Sequence, residues 1–224
     1  MRATVGRVMP KIRGLRWWII GLIMLGSIVN YLTRSTLAVA APTLLTDLHI
    51  TAKQYSWIVG IFQAAIMLQP LAGYVLDVVG LKLGYALFAI AWSFISMAHG
   101  LARSWPAFAA LRGLLGLAEG SANPAGMKAV AEWFPAQERG LAGGVFNIGA
   151  SVGSMLAPPL VVWAILAYSW QTAFVITGGL GFVWVALWLL LYQSPEKHPS
   201  LSDEERAHIV AGQEQHLQSD GARP

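Results

Sequence analysis

The sequence predicts an all-α membrane protein built as a six-transmembrane-helix bundle, and three observations carry that reading. Of 224 residues, 56% are hydrophobic and only 12% are charged, about half the charged fraction of a soluble domain. A spanning helix takes about 20 apolar residues, so six such stretches with short loops use nearly the whole chain. The basic residues, finally, fall on alternate sides of those stretches with a strong bias. So few polar residues cannot cover a water-soluble globule, which excludes soluble, disordered and nucleic-acid-binding classes. Cysteine is absent, and His49, His99, His198, His208 and His216 are scattered. No disulfide framework and no metal cluster is expected.

The elements follow in order. Residues 1–16 form a basic N-terminus with Arg2, Arg7, Lys11, Arg13 and Arg16 and no acid. The apolar run 17–41 is too long for the core of a signal peptide and lacks a small-residue cleavage site, so it reads as an uncleaved first span. The second span, 55–76, follows Thr51-Ala52-Lys53-Gln54, an S/T-x-x-Q capping box. The third covers 83–101. The fourth, 106–134, starts at Trp105-Pro106 and closes at Trp133-Phe134-Pro135, proline being tolerated in a first turn. The fifth, 141–168, contains Ala157-Pro158-Pro159, which predicts a break in backbone bonding and a kink. The sixth is 170–192. Gly116-xxx-Gly120 and Gly149-xxx-Gly153 permit close helix contact and read as bundle packing. Residues 193–224 are polar. Within them Ser202-Asp203-Glu204-Glu205 is a second capping box, and it predicts a short surface helix near 203–217 in an otherwise ordinary tail.

Orientation follows from counting. Arg2, Arg7, Lys11, Arg13, Arg16, Lys82, Arg139, Lys197, Arg206 and Arg223 fall on one side, and Lys53 and Arg103 on the other. Ten against two predicts that both termini are cytoplasmic. Trp17, Trp18, Trp133 and Trp188 fall near the inner interface, and Trp57, Trp105, Trp163 and Trp170 near the outer one, as an aromatic belt requires.

Charge within the spans is the most informative signal. Even the low insertion scale puts a central Arg or Asp at roughly 2.5 to 3.5 kcal/mol, yet the chain places Arg34, Arg112 and Glu119 there. Helix one runs outward and helix four inward, so Arg34 and Arg112 reach similar depth in the outer third. Two guanidiniums at one depth suit an anionic ligand, because Arg holds a carboxylate bidentately and stays charged. Structural pairing with acids and carbonyls is the alternative. Glu119 follows Arg112 by seven residues, on the same helix face and about 10 Å along the axis, and Asn123 continues that face. Glu119 is the one acid well inside a span, while Asp77 and Glu132 sit at span ends. A carboxyl that can take a proton below an anion site suits proton-coupled uptake; a standing Glu119–Arg112 ion pair is the alternative. On helix one, Asn30 and Tyr31 share a face with Arg34. Gln63 and Asn147 are further mid-span polar groups and candidate lining residues. Lys128 is expected to snorkel or pair near the cytoplasmic end. No metal motif or nucleophile–base pair stands out, so an enzyme is the least favoured class.

Gly73-Tyr74-Val75-Leu76-Asp77-Val78-Val79-Gly80-Leu81-Lys82, at the join of helices two and three, resembles the G-x-x-x-D-x-x-G-x-K loop signature of the major facilitator superfamily. The match is partial, because Val78 and Leu81 replace basic residues often found there. Asn30-Tyr31-Leu32-Thr33-Arg34, Arg112-Gly113, Glu119-Gly120, Glu132 through Arg139 and Phe146-Asn147-Ile148-Gly149 resemble the anion:cation symporter family of that superfamily. Ile12 through Trp17, Tyr31 through Arg34, Gly73 through Asp77 and Ala157 through Ile165 are most similar to its hexuronate (galacturonate/glucuronate) transporters. The resemblance implies proton-coupled uptake of sugar acids across the bacterial inner membrane by alternating access, with H+ as coupling ion and no cofactor. It implies that Tyr31, Arg34 and Arg112 contact substrate, that Glu119 carries the proton, and that Gly73, Asp77, Gly80 and Lys82 form the conformational motif. Aldonate-transporting relatives carry Asp before the helix-one Arg, where this chain has Thr33, so their two-carboxylate scheme does not transfer. The family has twelve helices in two six-helix halves, each a 3+3 inverted repeat. The resemblance therefore implies an N-terminal half that lacks its C-terminal six-helix partner.

Overall fold

The structure, a computed structural model, describes residues 11–221 and side chains through Gln213. Arg2, Arg7 and Arg223 of the charge count lie outside the described residues. Nine α-helices account for most of this range: α1 (Leu15–Asp47), α2 (Ala52–Ile66), α3 (Gln69–Val79), α4 (Leu81–Ala98), α5 (Trp105–Glu119), α6 (Ala122–Trp133), α7 (Arg139–Ala167), α8 (Trp170–Leu191) and α9 (Asp203–Gly221). Four stretches are long and apolar enough to cross a membrane, namely α1, α4 with its following 3-10 turn, α7 with its preceding turn, and α8. A fifth arises if α2 and α3, bent by 42° at their break, form one span. The fourth expected span is divided between α5 and α6, of 15 and 12 residues.

Proline explains both breaks. Pro70 lies in the first turn of α3, and Pro124 in the first turn of α6. Neither supplies the N–H that would continue the helix before it. The break expected at Pro158-Pro159 does not interrupt the helix, since α7 runs through both prolines. Its glycine seam presses it onto α1. A Cβ on Gly149 would stand 2.6 Å from Met24 O, and one on Gly153 would overlap Ile28 O. Ala157 and Val161 continue this buried edge past the prolines. The Gly116 Cβ position is likewise 2.7 Å from Phe62 O, which sets α5 directly on α2.

The apolar core forms two clusters, one toward each end of the bundle. At the end where α1 begins and α8 ends, Trp92, Trp184, Trp188 and Tyr192 stack in succession, with Tyr85 edge-on to the first two. At the far end, Leu44, Phe108, Trp170 and Phe174 pack together. This corrects the belt reading for three tryptophans. Trp133, Trp170 and Trp188 are core residues, and the indole N–H of Trp188 donates to Lys82 O and that of Trp170 to Asp47. Trp18, Trp57 and Trp163 do remain exposed.

The polar segment after α8 is more than a free tail. Ile12 N donates to Ser200 O at 2.9 Å. Glu205 Oε2 accepts from Leu15 N at 3.1 Å, and Oε1 accepts from Arg16 N at 3.3 Å and Arg16 Nη1 at 2.9 Å. Gly14, which precedes α1, has no side chain to cap it. The orphan donors of α1 are therefore satisfied by a carboxylate from α9, at the positive end of the α1 dipole. The expected Ser202 capping box is half made: Glu205 N donates to Ser202 Oγ, while the Glu205 carboxylate turns to α1 instead. Glu138 extends this clasp through Arg16 Nε at 3.0 Å and His208 Nε2 at 3.0 Å. Partial burial alone would raise the Glu138 pKa, but hydrogen bonds from His208 and Arg16 hold it below the usual carboxylate range. At α2 both halves of the Thr51–Gln54 capping box form.

Candidate functional site

The buried charges meet where α1, α2 and α5 come together. Arg34 Nε donates to Glu119 Oε2 at 3.1 Å, and Arg34 Nη2 donates to Asn30 Oδ1 at 3.3 Å. Thr33 Oγ1 stands 3.0 Å from Glu119 Oε1 and 2.7 Å from Asn30 O. Arg112 makes only long contacts, its Nη1 and Nη2 reaching Arg34 O at 3.4 and 3.5 Å. Asn30, Thr33, Arg112 and Glu119 are buried, and Arg34 is partly exposed. Aromatic faces complete the setting. Arg34 lies 4.6 Å from the Tyr31 ring centroid, and both guanidiniums lie 5.4 Å from that of Phe62, within cation–π range.

Local structure explains who pairs with whom. The i+7 spacing allowed a Glu119–Arg112 pair, but the acid pairs across to α1. Helical side chains lean toward the N-terminus of their helix, so Arg112 leans away from Glu119 and toward the Arg34 carbonyl. Asn123 leaves the Arg112–Glu119 face, because the chain breaks between α5 and α6; its side chain is exposed.

Asn30, Tyr31, Arg34, Arg112 and Glu119 are thus brought together, and Gln63 and Asn147 are not. Gln63 is exposed, one residue past the buried Phe62. Asn147 is exposed, and its Nδ2 donates to Gly143 O of its own helix at 2.9 Å. Phe62 is the member that sequence reasoning missed, and Thr33 was legible only as the residue standing where related chains carry Asp. A Phe in an apolar span reads as packing, and only its contact with two cations distinguishes it. Away from this site, Lys128 pairs with Asp77, as its expected place near the span end implied. Gly80 joins α3 to α4 with φ of 89°, a conformation that favours glycine. Lys82 supplies a carbonyl to Trp188, and a Cβ added at Gly73 would meet Pro124 of α6 at 3.6 Å.

The cluster holds two guanidiniums and one carboxyl. Its net charge is +1 with Glu119 ionised and +2 with Glu119 protonated. Among the described residues, Arg112 Nε and Asn30 Nδ2 are buried donors without a partner. A site with surplus donors and surplus positive charge can take an anionic oxygen ligand.

Residues 23–220 match the family model of the Major Facilitator Superfamily. A galacturonate transporter of Dickeya chrysanthemi is 53% identical over 216 residues, which cover 96% of this chain and 63% of that protein. A hexuronate transporter of Escherichia coli (strain K12) is 53% identical over 207 residues, covering 92% of this chain and 48% of that protein. The chain thus spans about half to two thirds of the length of these relatives. The crystal structure of a bacterial homolog of the human lysosomal transporter Spinster, inward-facing and occupied, superposes with a TM-score of 0.74 at 18% identity. It covers 86% of this chain and 47% of that one, and it speaks to the fold alone.

Proposed function

The chain belongs to the Major Facilitator Superfamily, and on that premise we propose that it forms one half of a proton-coupled hexuronate symporter. The observation that carries the proposal is the unequal partnering of the two arginines. Arg34 is engaged by Glu119 at 3.1 Å, whereas Arg112 has a free Nε and only long contacts. A sugar-acid carboxylate binds Arg112 as a planar fork, and the sugar hydroxyls meet Asn30 Nδ2 and the Tyr31 ring. Protonation of Glu119 releases Arg34 to the same anion and raises the site charge from +1 to +2.

Proton and substrate therefore assist each other's binding, and by linkage the assistance is equal in both directions. Loaded with both, the site rocks between the two sides of the membrane, and high pH inside releases both. The Asp77–Lys128 pair and the Gly80 turn belong to the segment that this rocking moves. Gln63 and Asn147, on exposed faces, are proposed to reach substrate only with the opposite half in place. That half, six helices not contained in this chain, supplies the second wall and is the proposed partner within the bilayer. Both termini are proposed to lie on the cytoplasmic side of a bacterial inner membrane, a reading supported by the bias of ten basic residues against two.

The test is uptake by a hybrid in which this chain replaces the matching half of the Escherichia coli hexuronate transporter. Reconstituted into liposomes, the hybrid accumulates glucuronate or galacturonate when an inward proton gradient is imposed, and it ignores the uncharged hexoses. Equal uptake of glucose, or uptake indifferent to the gradient, sinks the proposal.

A further inference from the structure

The Thr33 hydroxyl faces two oxygens and owns one hydrogen. Its Oγ1 is 2.7 Å from Asn30 O and 3.0 Å from Glu119 Oε1. A backbone carbonyl only accepts, and an ionised carboxylate only accepts, so with Glu119 ionised the hydroxyl can serve just one of them. With Glu119 protonated at Oε1 the account closes. The acid donates to Thr33 Oγ1, and Thr33 donates on to Asn30 O. The other carboxyl oxygen, Oε2, is already taken by Arg34 Nε at 3.1 Å, which leaves Oε1 as the oxygen with room for a proton.

We propose that Thr33 is the positioning residue for the coupling proton. Its hydroxyl directs that proton to Oε1 of Glu119 and turns about its Cβ–Oγ1 bond when the proton leaves. On ionisation the hydroxyl hydrogen swings from Asn30 O to Oε1, so one side chain satisfies both states without moving a helix. No atom is exchanged with Thr33: the proton is gained and lost by Glu119, and Thr33 only reverses from acceptor to donor. The charged groups facing Glu119 are Arg34 from α1 and Arg112 from its own helix. α2 presents the Phe62 ring to those two guanidiniums. Thr33 is thus the neutral partner at a carboxyl otherwise set among cations. This rests on the reading of Glu119 as the proton carrier, but its test does not need transport.

The experiment is infrared titration of the 224-residue chain in lipid nanodiscs. The carboxyl C=O band of Glu119 is assigned by its loss in Glu119→Gln. Thr33→Val keeps the shape and removes the hydroxyl, so the ionised form loses a donor. The midpoint of the band is then expected to move toward alkaline pH by about half to one unit, and the band itself to shift as the acid loses its acceptor. Thr33→Ser restores both. A Thr33→Val protein that titrates as wild type overturns the proposal, and so does a wild-type Glu119 band that never titrates between about pH 4 and 10. Monodisperse elution of each variant establishes that it is folded, and Thr33→Ala serves as the second hydroxyl-free variant. If the titration behaves as expected while the hybrid's uptake ignores the proton gradient, the coupling reading fails, and Thr33 stands only as the residue that positions the Glu119 proton.

Discussion

Replacing Glu119 by Gln keeps the size of the side chain and removes the one negative charge of the site. The wild-type cluster carries +1 at a pH where Glu119 is ionised, and the variant carries +2 at every pH. The Glu119 carboxylate lies 3.1 Å from Arg34 Nε, so an anion held by Arg34 and Arg112 sits within about 6 Å of it. At an effective dielectric constant of about 20, two like charges at that separation repel by about 3 kcal/mol. That corresponds to roughly 100-fold in affinity, and screening and relaxation bring the expected gain to between about 10-fold and 100-fold. The assay is glucuronate binding to the hybrid at pH 5.5 and pH 8.5, followed by isothermal calorimetry. Wild type is expected to bind better at the lower pH, and Glu119→Gln to bind tightly and equally at both. In liposomes the variant exchanges labelled for unlabelled substrate but no longer accumulates it against a gradient. Proton-driven accumulation by Glu119→Gln, or weaker binding than wild type at pH 8.5, would refute the reasoning.

Other consequences separate the two arginines, the glycine seam and the clasp. Arg34→Ala strands the buried Glu119 carboxylate and is expected to lower stability by about 3 kcal/mol or more. Arg112→Ala, which breaks no short bond, mainly abolishes binding; thermal unfolding in detergent ranks the two, and adding Glu119→Gln to Arg34→Ala recovers most of the loss. Gly153→Leu drives a side chain into Ile28 O and Tyr31 and is expected to cost about 1 to 3 kcal/mol or to prevent folding. Gly179→Ala, with open space around it, leaves the melting profile nearly unchanged. Because the pKa of Glu138 is depressed in the folded protein, its contribution to the clasp is present above its unfolded value near 4.5 and is lost as pH falls through the folded one. The protection factors of α9 amides, taken relative to the intrinsic exchange rate at each pH, should therefore fall below about pH 4.5, and Glu138→Gln should show the lower protection already at neutral pH.

The sequence alone carried the membrane class, the span order and the bias of basic residues. These are sums over many positions, and the cost of burying polar groups in a bilayer makes them hard to mistake. It also exposed Arg34, Arg112 and Glu119, since a charge inside an apolar span stands out without any knowledge of its neighbours. The tertiary structure decided how those charges divide. Glu119 pairs with Arg34 rather than with Arg112, because the azimuth and lean of side chains that reach across from two helices outweigh spacing along one. Thr33 and Phe62 entered the site for the same reason, as an ordinary hydroxyl and an ordinary ring acquire meaning only from what faces them. The breaks before α3 and α6 and the Glu205 cap on α1 were beyond sequence reasoning too. A hydropathy window averages over a two-residue interruption, and a cap supplied from 190 positions away leaves no local pattern at the helix it completes.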